Sequence, residues 1–190
     1  MKYQIKFLSD WHVGSGLAAG AETDAEVLKD ENKLPYIPGK TIKGLLKAAL
    51  YEMIAVKHVD EDAVNELFGY EIKGEKVVKT CPGSLFFSNA SLPVAEQKDI
   101  IPDLADFLYK NISQTKINAK GVAENASLRT IEVCMPLILE GDIRKFKEGL
   151  ECELLDEEKK LIRMALKWVR RLGVNRNRGL GRCQFIELEK

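Results

Sequence analysis

Leu172-Gly173-Val174-Asn175-Arg176-Asn177-Arg178-Gly179-Leu180-Gly181-Arg182 joins an apolar-periodic helix to a short strand. No acid interrupts its three glycines and three arginines. Glycine lets a backbone approach a neighbour or ligand closely and take φ > 0. Arginine presents a planar donor fork that matches phosphate. Upstream, Leu161, Ile162, Ala165, Leu166, Val169 and Leu172 recur at helical spacing, which predicts an amphipathic helix with Asp156 as its N-cap and Gly173 as its C-cap. Downstream, Cys183 to Leu188 reads as a strand.

The same pairing of strand and helix stands near the N-terminus. Tyr3, Ile5 and Phe7 alternate with Lys2, Gln4 and Lys6, the period of a half-buried strand. After a loop from Trp11 to Glu22 and a predicted short strand from Ala25 to Asp30, Thr41 is the predicted N-cap of a second amphipathic helix. Its apolar positions are Ile42, Leu45, Leu46, Ala49, Leu50, Met53 and Ile54. Ser84 to Asn89 reads as a strand, Ile101 to Asn111 as holding a short helix, and Thr130 to Glu140 as a strand broken or edged by Pro136. Residues 112–129 have few large apolar side chains beyond Ile112, namely Ile117, Val122 and Leu128, and so read as an insertion projecting from the domain. The order predicts an α+β fold of ferredoxin-like or RRM-like β-α-β-β-α-β type, one domain over residues 1–190. Fold alone does not give function.

With 190 residues and 45% hydrophobic content the chain can build a good core. Formal net charge is zero, against an indiscriminately basic coat, yet the charge is segregated. Arg163, Lys167, Arg170, Arg171, Arg176, Arg178 and Arg182 follow one another without an acid, whereas Glu22, Asp24, Glu26, Asp30 and Glu31 face Lys29 alone. A neutral chain with one basic face can still bind phosphates locally. The four cysteines are widely spaced and the two histidines stand apart, which argues against zinc and for reduced thiols in the cytoplasm. There is no apolar leader and no run near the roughly 18 residues of a membrane span, so the expectation is a soluble cytoplasmic protein with no membrane partner.

Several motifs invite sharper readings. Gly39-Lys40-Thr41 looks like the end of a P-loop, but Leu34 stands where a glycine is needed and Pro38 removes an amide from the cradle. A helix start meeting a backbone phosphate is the better reading, and a solvated face for Lys40, Lys43 and Lys47 is the plain one. Gly14-Ser15-Gly16-Leu17-Ala18-Ala19 fits G-x-G-x-x-A, though Trp11 and His12 separate it from its strand and Gly20 weakens a following helix. His12 can act as an acid or base near neutrality, but beside Trp11 it reads first as a packed, hydrogen-bonded residue. Asp24 follows a glycine-rich loop and could hold hydrated magnesium near phosphates; on composition alone it reads as a solvated acid.

Together these residues resemble the RAMP superfamily of CRISPR-associated proteins. Leu8 to Gly16, with His12-Val13-Gly14-Ser15-Gly16, resembles the family's first-strand loop. Tyr36-Ile37-Pro38-Gly39-Lys40-Thr41-Ile42-Lys43-Gly44 is similar to its Pro-Gly helix element, with Lys40 in place of the usual small hydroxyl residue. Leu67-Phe68-Gly69, followed by Gly83 to Ala90, resembles its second-strand signature, and Leu172 to Phe185 its C-terminal glycine-rich loop. Lys120 to Glu124 and Ser127 to Glu132 resemble the repeating backbone subunit of type III effector complexes, in which this segment forms a thumb.

The resemblance implies guide CRISPR RNA and target RNA as partners, alongside other copies of the chain and other CRISPR effector subunits. It implies an acid, by offset Asp24, that cuts target RNA with Mg2+ or another divalent metal, making the subunit a metal-dependent endoribonuclease. RNA contacts are expected from His12, Lys40, Thr41, Lys43 and Lys47. Others are expected from Lys116, Lys120, Arg129, Arg176, Arg178 and Arg182, with the thumb over residues 112–129 wedging between bases of the duplex. Three other readings stay open: a non-cleaving paralogue in the same kind of complex, a metal-independent guide-processing ribonuclease using His12, and, outside the family, a small nucleotide-binding enzyme.

Overall fold

The computed structural model describes residues 1–14, 16, 23–73, 78–101 and 103–188. Glu22, the Ser15 and Leu17–Ala19 positions of the glycine motif, Gly20 and Pro102 lie outside them.

The alternation at the N-terminus forms β1 (Lys2–Phe7), with Tyr3, Ile5 and Phe7 buried. The chain then runs through α1 (Gly39–Ala55), α2 (Glu61–Phe68), β2 (Gly69–Lys73), β3 (Val78–Pro82), β4 (Leu85–Phe87) and α3 (Val94–Ile100). After a 3-10 turn at Ala105–Leu108 come β5 (Tyr109–Gln114), β6 (Arg129–Cys134), β7 (Ile138–Lys147), β8 (Leu150–Cys152), α4 (Asp156–Trp168) and β9 (Cys183–Leu188). The main sheet is antiparallel in the order β4-β7-β1-β9, with β8 extending β7. Ile5 sits opposite Leu139 on one side and Phe185 on the other, so one sheet face is apolar. Against it lie α1, through Ile42, Leu46 and Leu50, and α4, through Ile162, Ala165 and Leu166. Each such fully buried aliphatic side chain contributes roughly 1.5–3 kcal/mol, more than an exposed ion pair does. Among the described residues no helix is long and apolar enough to cross a membrane.

Local signals misplaced several boundaries. Thr41 is not the N-cap of α1: the helix starts at Gly39 after Pro38, and the Gly39 amide donates to Asn89 Oδ1 (3.0 Å). The cap comes from fifty residues away in sequence, and the proline fixes the φ that opens the first turn. Asp156 is likewise inside α4; Glu158 reaches back to accept from the Leu155 amide (2.9 Å). Gly173 does not cap α4, which ends at Trp168. Val169 turns extended because the chain from Arg170 pairs back onto the next strand, the Cys183 amide donating to the Arg170 carbonyl (3.0 Å) and the Leu172 amide to the Gly181 carbonyl (2.9 Å).

The short strand expected from Ala25 to Asp30 is instead a string of single bridges, with Ala25 on Ile131, Val27 on Gly14 and Lys29 on Pro35. The short helix expected within 101–111 is the 3-10 turn Ala105–Leu108, preceded by α3, which Pro93 opens, and followed at once by the strand that begins at Tyr109. Pro136 separates two strands that belong to different sheets, β6 and β7. The insertion over 112–129 has a wider base: β5 and β6 form a hairpin from Tyr109 to Cys134. Ladder pairing and hydroxyl pairs, Ser113 with Thr130 (2.9 Å) and Thr115 with Ser127 (2.8 Å), take the place of an apolar core.

Candidate functional site

The glycine-rich loop is bound to the segment after β1 by backbone bonds. The Val174 amide donates to the His12 carbonyl (3.0 Å), the Gly181 amide to the Asp10 carbonyl (2.8 Å) and the Leu8 amide to the Arg182 carbonyl (2.8 Å). Gly173 has φ +95°, and a Cβ there would collide with the His12 carbonyl, so this close approach demands glycine. Asn175 enters the left-handed region (φ 54°) and starts the 3-10 turn Arg176–Arg178. Arg171 Nη1 donates to the Arg176 carbonyl (2.6 Å), holding that turn from below. Arg176, Arg178 and Arg182 are exposed on it, and Arg178 Nη1 reaches Gln114 Oε1 on β5 (3.3 Å).

Gln114 is paired with Arg129 at the outer end of the β5–β6 ladder, and the acidic segment meets the neighbouring part of β6. The Asp24 amide donates to the Thr130 carbonyl (2.8 Å), and the Thr130 amide donates to Asp24 Oδ2 (2.7 Å). Glu132 on β6 anchors the residues just beyond Asp24: its carboxylate accepts from the Val27 amide (2.9 Å) and from Lys29 Nζ (2.7 Å). That ammonium also lies 4.1 Å from the Tyr109 ring centroid. Burial, then the nearby Cys134 and Glu132, push the Tyr109 phenol well above its ordinary range. Asp24, bonded to Thr130, and Arg178, bonded to Gln114, thus attach to adjoining residues at the outer end of the β5–β6 ladder, where Arg129 also lies. Farther out, Lys116 pairs with Glu124 (2.9 Å) in an exposed contact of a kind worth little. Lys120 is exposed, as are Ile117, Val122 and Leu128 at 56%, 60% and 69%.

His12 is 2% exposed and its Nδ1 bonds the Glu132 carbonyl (2.6 Å). Its ring is a packed, hydrogen-bonded part of the frame, and its contact with the glycine-rich loop is through its carbonyl. Val13 and Gly14, next in sequence, line an open groove of about 680 Å3 beside the start of α1. Lys40 and Thr41 are exposed on its rim. Lys43 and Lys47 have other partners. Lys43 Nζ donates to the Leu85 carbonyl (2.7 Å), and burial, then Lys47, lower its pKa; Lys47 Nζ lies 5.6 Å from the Tyr51 ring centroid. The strip from His12 to Gly14 thus lies between the groove and the glycine-rich loop, making neighbours of regions far apart in sequence.

Sequence reading passed over four residues that shape this surface: Asn89, which caps α1, Glu132, which clamps the acidic segment, and Phe86 with Arg144, which line the groove. Glu132, Phe86 and Asn89 fall inside the RAMP-like motifs, and the alternation of β4 and β6 could have singled out the first two; nothing local marks Arg144. Among the described residues, no three His, Cys, Asp or Glu side chains gather closely enough to hold a metal by themselves. Asp24 is an exposed hard-oxygen donor, which suits magnesium when RNA phosphates complete its shell, since that ion is commonly held by one or two carboxylates plus phosphates.

An antiparallel sheet with helices on one face and a basic glycine-rich loop beside β1 defines the class, a mixed α+β protein with a candidate phosphate-binding face. The RAMP superfamily profile matches residues 4–184, so the chain belongs to that family. Its fold is similar to a subunit of the Type III-B Cmr-beta complex bound to cognate target RNA, solved by cryo-EM, with 14% identity and a TM-score of 0.69 over 97% of this chain and 95% of that one. The apo Type III-B Cmr-beta complex gives 15% identity and a TM-score of 0.66 over the same shares. No protein of curated function matches the sequence.

Proposed function

We propose that this chain is a guide-RNA-binding backbone subunit of a type III CRISPR effector complex that also cleaves the bound target RNA. The observation that carries the reading is the acid-free Arg-Gly loop, seated on Asp10 to His12 and touching the end of β5 through Arg178 and Gln114, in a RAMP superfamily chain. On this reading the order β4-β7-β1-β9 with α1 and α4 on one face is ferredoxin-like, and the hairpin from Tyr109 to Cys134 is the thumb. Arg176, Arg178, Arg182 and Lys40 hold guide phosphates without reading bases, because one subunit must accept any guide sequence.

Asp24, with RNA phosphates, would hold the divalent ion. When bound, the ion stabilises charge at the scissile phosphate and lowers the pKa of its water. Arg129, exposed beside Thr130, would orient the target strand there. Thr130 holds Asp24 through both backbone and carboxylate, so the acid enters the site already positioned. A second reading, a non-cleaving filament subunit, is favoured by the same bond: Asp24 Oδ2 is committed to the Thr130 amide.

Reconstitution with guide RNA tests the proposal. Several copies along one RNA, with cross-links from the Arg176–Arg182 loop to the guide, are expected. Affinity for mononucleotides without affinity for RNA would overturn it.

A further inference from the structure

Strand β4 buries Leu85 and Phe87 and turns Phe86 the other way, leaving it 45% exposed. Solitary exposed aromatics are common and need no explanation, but Phe86 is not solitary. Its cross-strand partner is Arg144, whose guanidinium carbon lies 4.9 Å from the Phe86 ring centroid. Phe146 meets the ring edge-on, with centroids 6.1 Å apart at 84°. The Asp142 carboxylate lies 2.9 Å from Arg144 Nε as an ion pair. Glu151 approaches Nη1 only to 3.8 Å, a contact that a phosphate displaces readily.

Phe86 and Arg144 line the groove of about 680 Å3 that also holds Lys40, Thr41, Ser88 and Tyr36. Among the described residues, none that line it carries a carboxylate, whereas Lys40 and Arg144 are cations. Its volume is that of a small-ligand site. The helix start does not explain the groove's chemistry, because Asn89 already takes the Gly39 amide. A flat aromatic ring, a guanidinium over its face and a second cation lining one groove together match a nucleotide, whose base stacks and whose phosphate is anionic.

We propose that this groove is a nucleotide subsite in which one RNA base stacks on Phe86 while its phosphates meet Arg144 and Lys40. The proposal rests on the RNA-binding function proposed for the chain and adds a base contact to it. Stacking tolerates any base because every base has a π-face, so such a contact costs the subunit no generality toward guides.

The test titrates the full chain with a mixed-sequence single-stranded RNA and with an abasic ribose-phosphate strand of the same length. The parent is expected to prefer the RNA. Phe86→Leu should shrink that preference by roughly 5- to 150-fold while leaving affinity for the abasic strand unchanged, and Phe86→Trp should keep or raise it. Arg144→Ala should weaken both strands. Should Phe86→Leu fold poorly, the Trp variant still decides: a preference lost on widening the ring overturns the stacking. If Phe86→Leu keeps the parent's preference, the subsite is wrong while RNA binding stands. If the parent binds neither strand, the RNA-binding reading falls and the subsite with it. If Phe86→Leu alters only self-association of the chain, the groove is a protein contact and the proposal is overturned.

Discussion

Asp24 and Thr130 are joined twice, amide to carbonyl at 2.8 Å and amide to carboxylate at 2.7 Å. The acidic segment is thereby laid along the outer half of β6, so that whatever moves the hairpin moves the acid. Charge-assisted bonds to a backbone amide are among the stronger ones available to a carboxylate.

Asp24→Ala is expected to abolish target cleavage in an assembled complex with magnesium while guide and target affinity stay within a few-fold of the parent. A carboxylate beside a phosphate repels it in the ground state and helps only once an ion stabilises the transition state. Glu22→Ala and Glu26→Ala serve as controls with labelled target RNA. Cleavage at the parent rate by Asp24→Ala, with loss in a control, moves the site to the neighbour. Parent rates in all three make the subunit a scaffold.

Arg176→Ala with Arg178→Ala should weaken guide binding about equally for unrelated sequences. Both side chains stand exposed on a turn whose backbone is already bonded to the frame, so their loss removes charge and leaves the loop in place. Each lost phosphate contact lowers the salt slope of log affinity by roughly 0.7 on single strands. Titrations over a range of salt read this directly, and a loss confined to one guide would reveal base readout.

How much of this surface is legible in sequence depends on where each bond closes. The periodic runs in β1, α1 and α4 state their buried faces outright, because helix and strand periods are local properties. The RAMP motifs likewise lie in short segments. Helix ends were not legible: Asn89 caps α1 from across the fold, and Leu172 leaves the helical path to pair with Gly181. The strand pairing within the insertion was not legible, because polar pairs such as Ser113 with Thr130 have no hydrophobic signature. The clamp of Glu132 on Val27 and Lys29 joins segments over a hundred residues apart, beyond the reach of any spacing rule.

Lys43 was expected to hold phosphate, yet its ammonium is bonded to the Leu85 carbonyl. Lys43→Met should therefore destabilise the fold by about 1–2 kcal/mol, through a carbonyl left without its partner, while guide affinity changes little. Burial lowers its pKa from 10.5, so the unfolded chain binds the proton more tightly and stability contributed by this group rises as pH climbs from the folded value toward 10.5. The parent should show that alkaline gain in melting temperature, and Lys43→Met should lack it.

Cys183 is buried and its thiol is pushed up to about 12; burial likewise raises that of Cys134. At pH 8 the rise from 9.0 to about 12 cuts the thiolate fraction roughly 1,000-fold. Iodoacetamide should thus label the half-buried Cys81 and Cys152 first, with Cys134 and Cys183 modified only on unfolding. Early labelling of Cys183 would mean that β9 opens in the native state.

Glu132 is the residue on which the geometry of the acidic segment depends. Its side chain is 14% exposed, accepts from the Val27 amide and pairs with Lys29. Glu132→Ala leaves one donor and one ammonium without their acceptor, which should cost about 2–3 kcal/mol. Glu132→Gln keeps an acceptor oxygen for Val27 and loses only the charge, so it should cost less and isolate the clamp from the fold. Hydrogen exchange should then rise at amides 23–29 and stay unchanged in α1 and α4. In a cleaving complex Glu132→Gln should lower the single-turnover rate without weakening RNA affinity, because Asp24 loses its position and no phosphate contact is removed. A double-mutant cycle with Lys29→Met gives the coupling directly, expected at about 1 kcal/mol or more. Unchanged exchange at 23–29 in Glu132→Gln would mean that the two hydrogen bonds between Asp24 and Thr130 hold the segment by themselves.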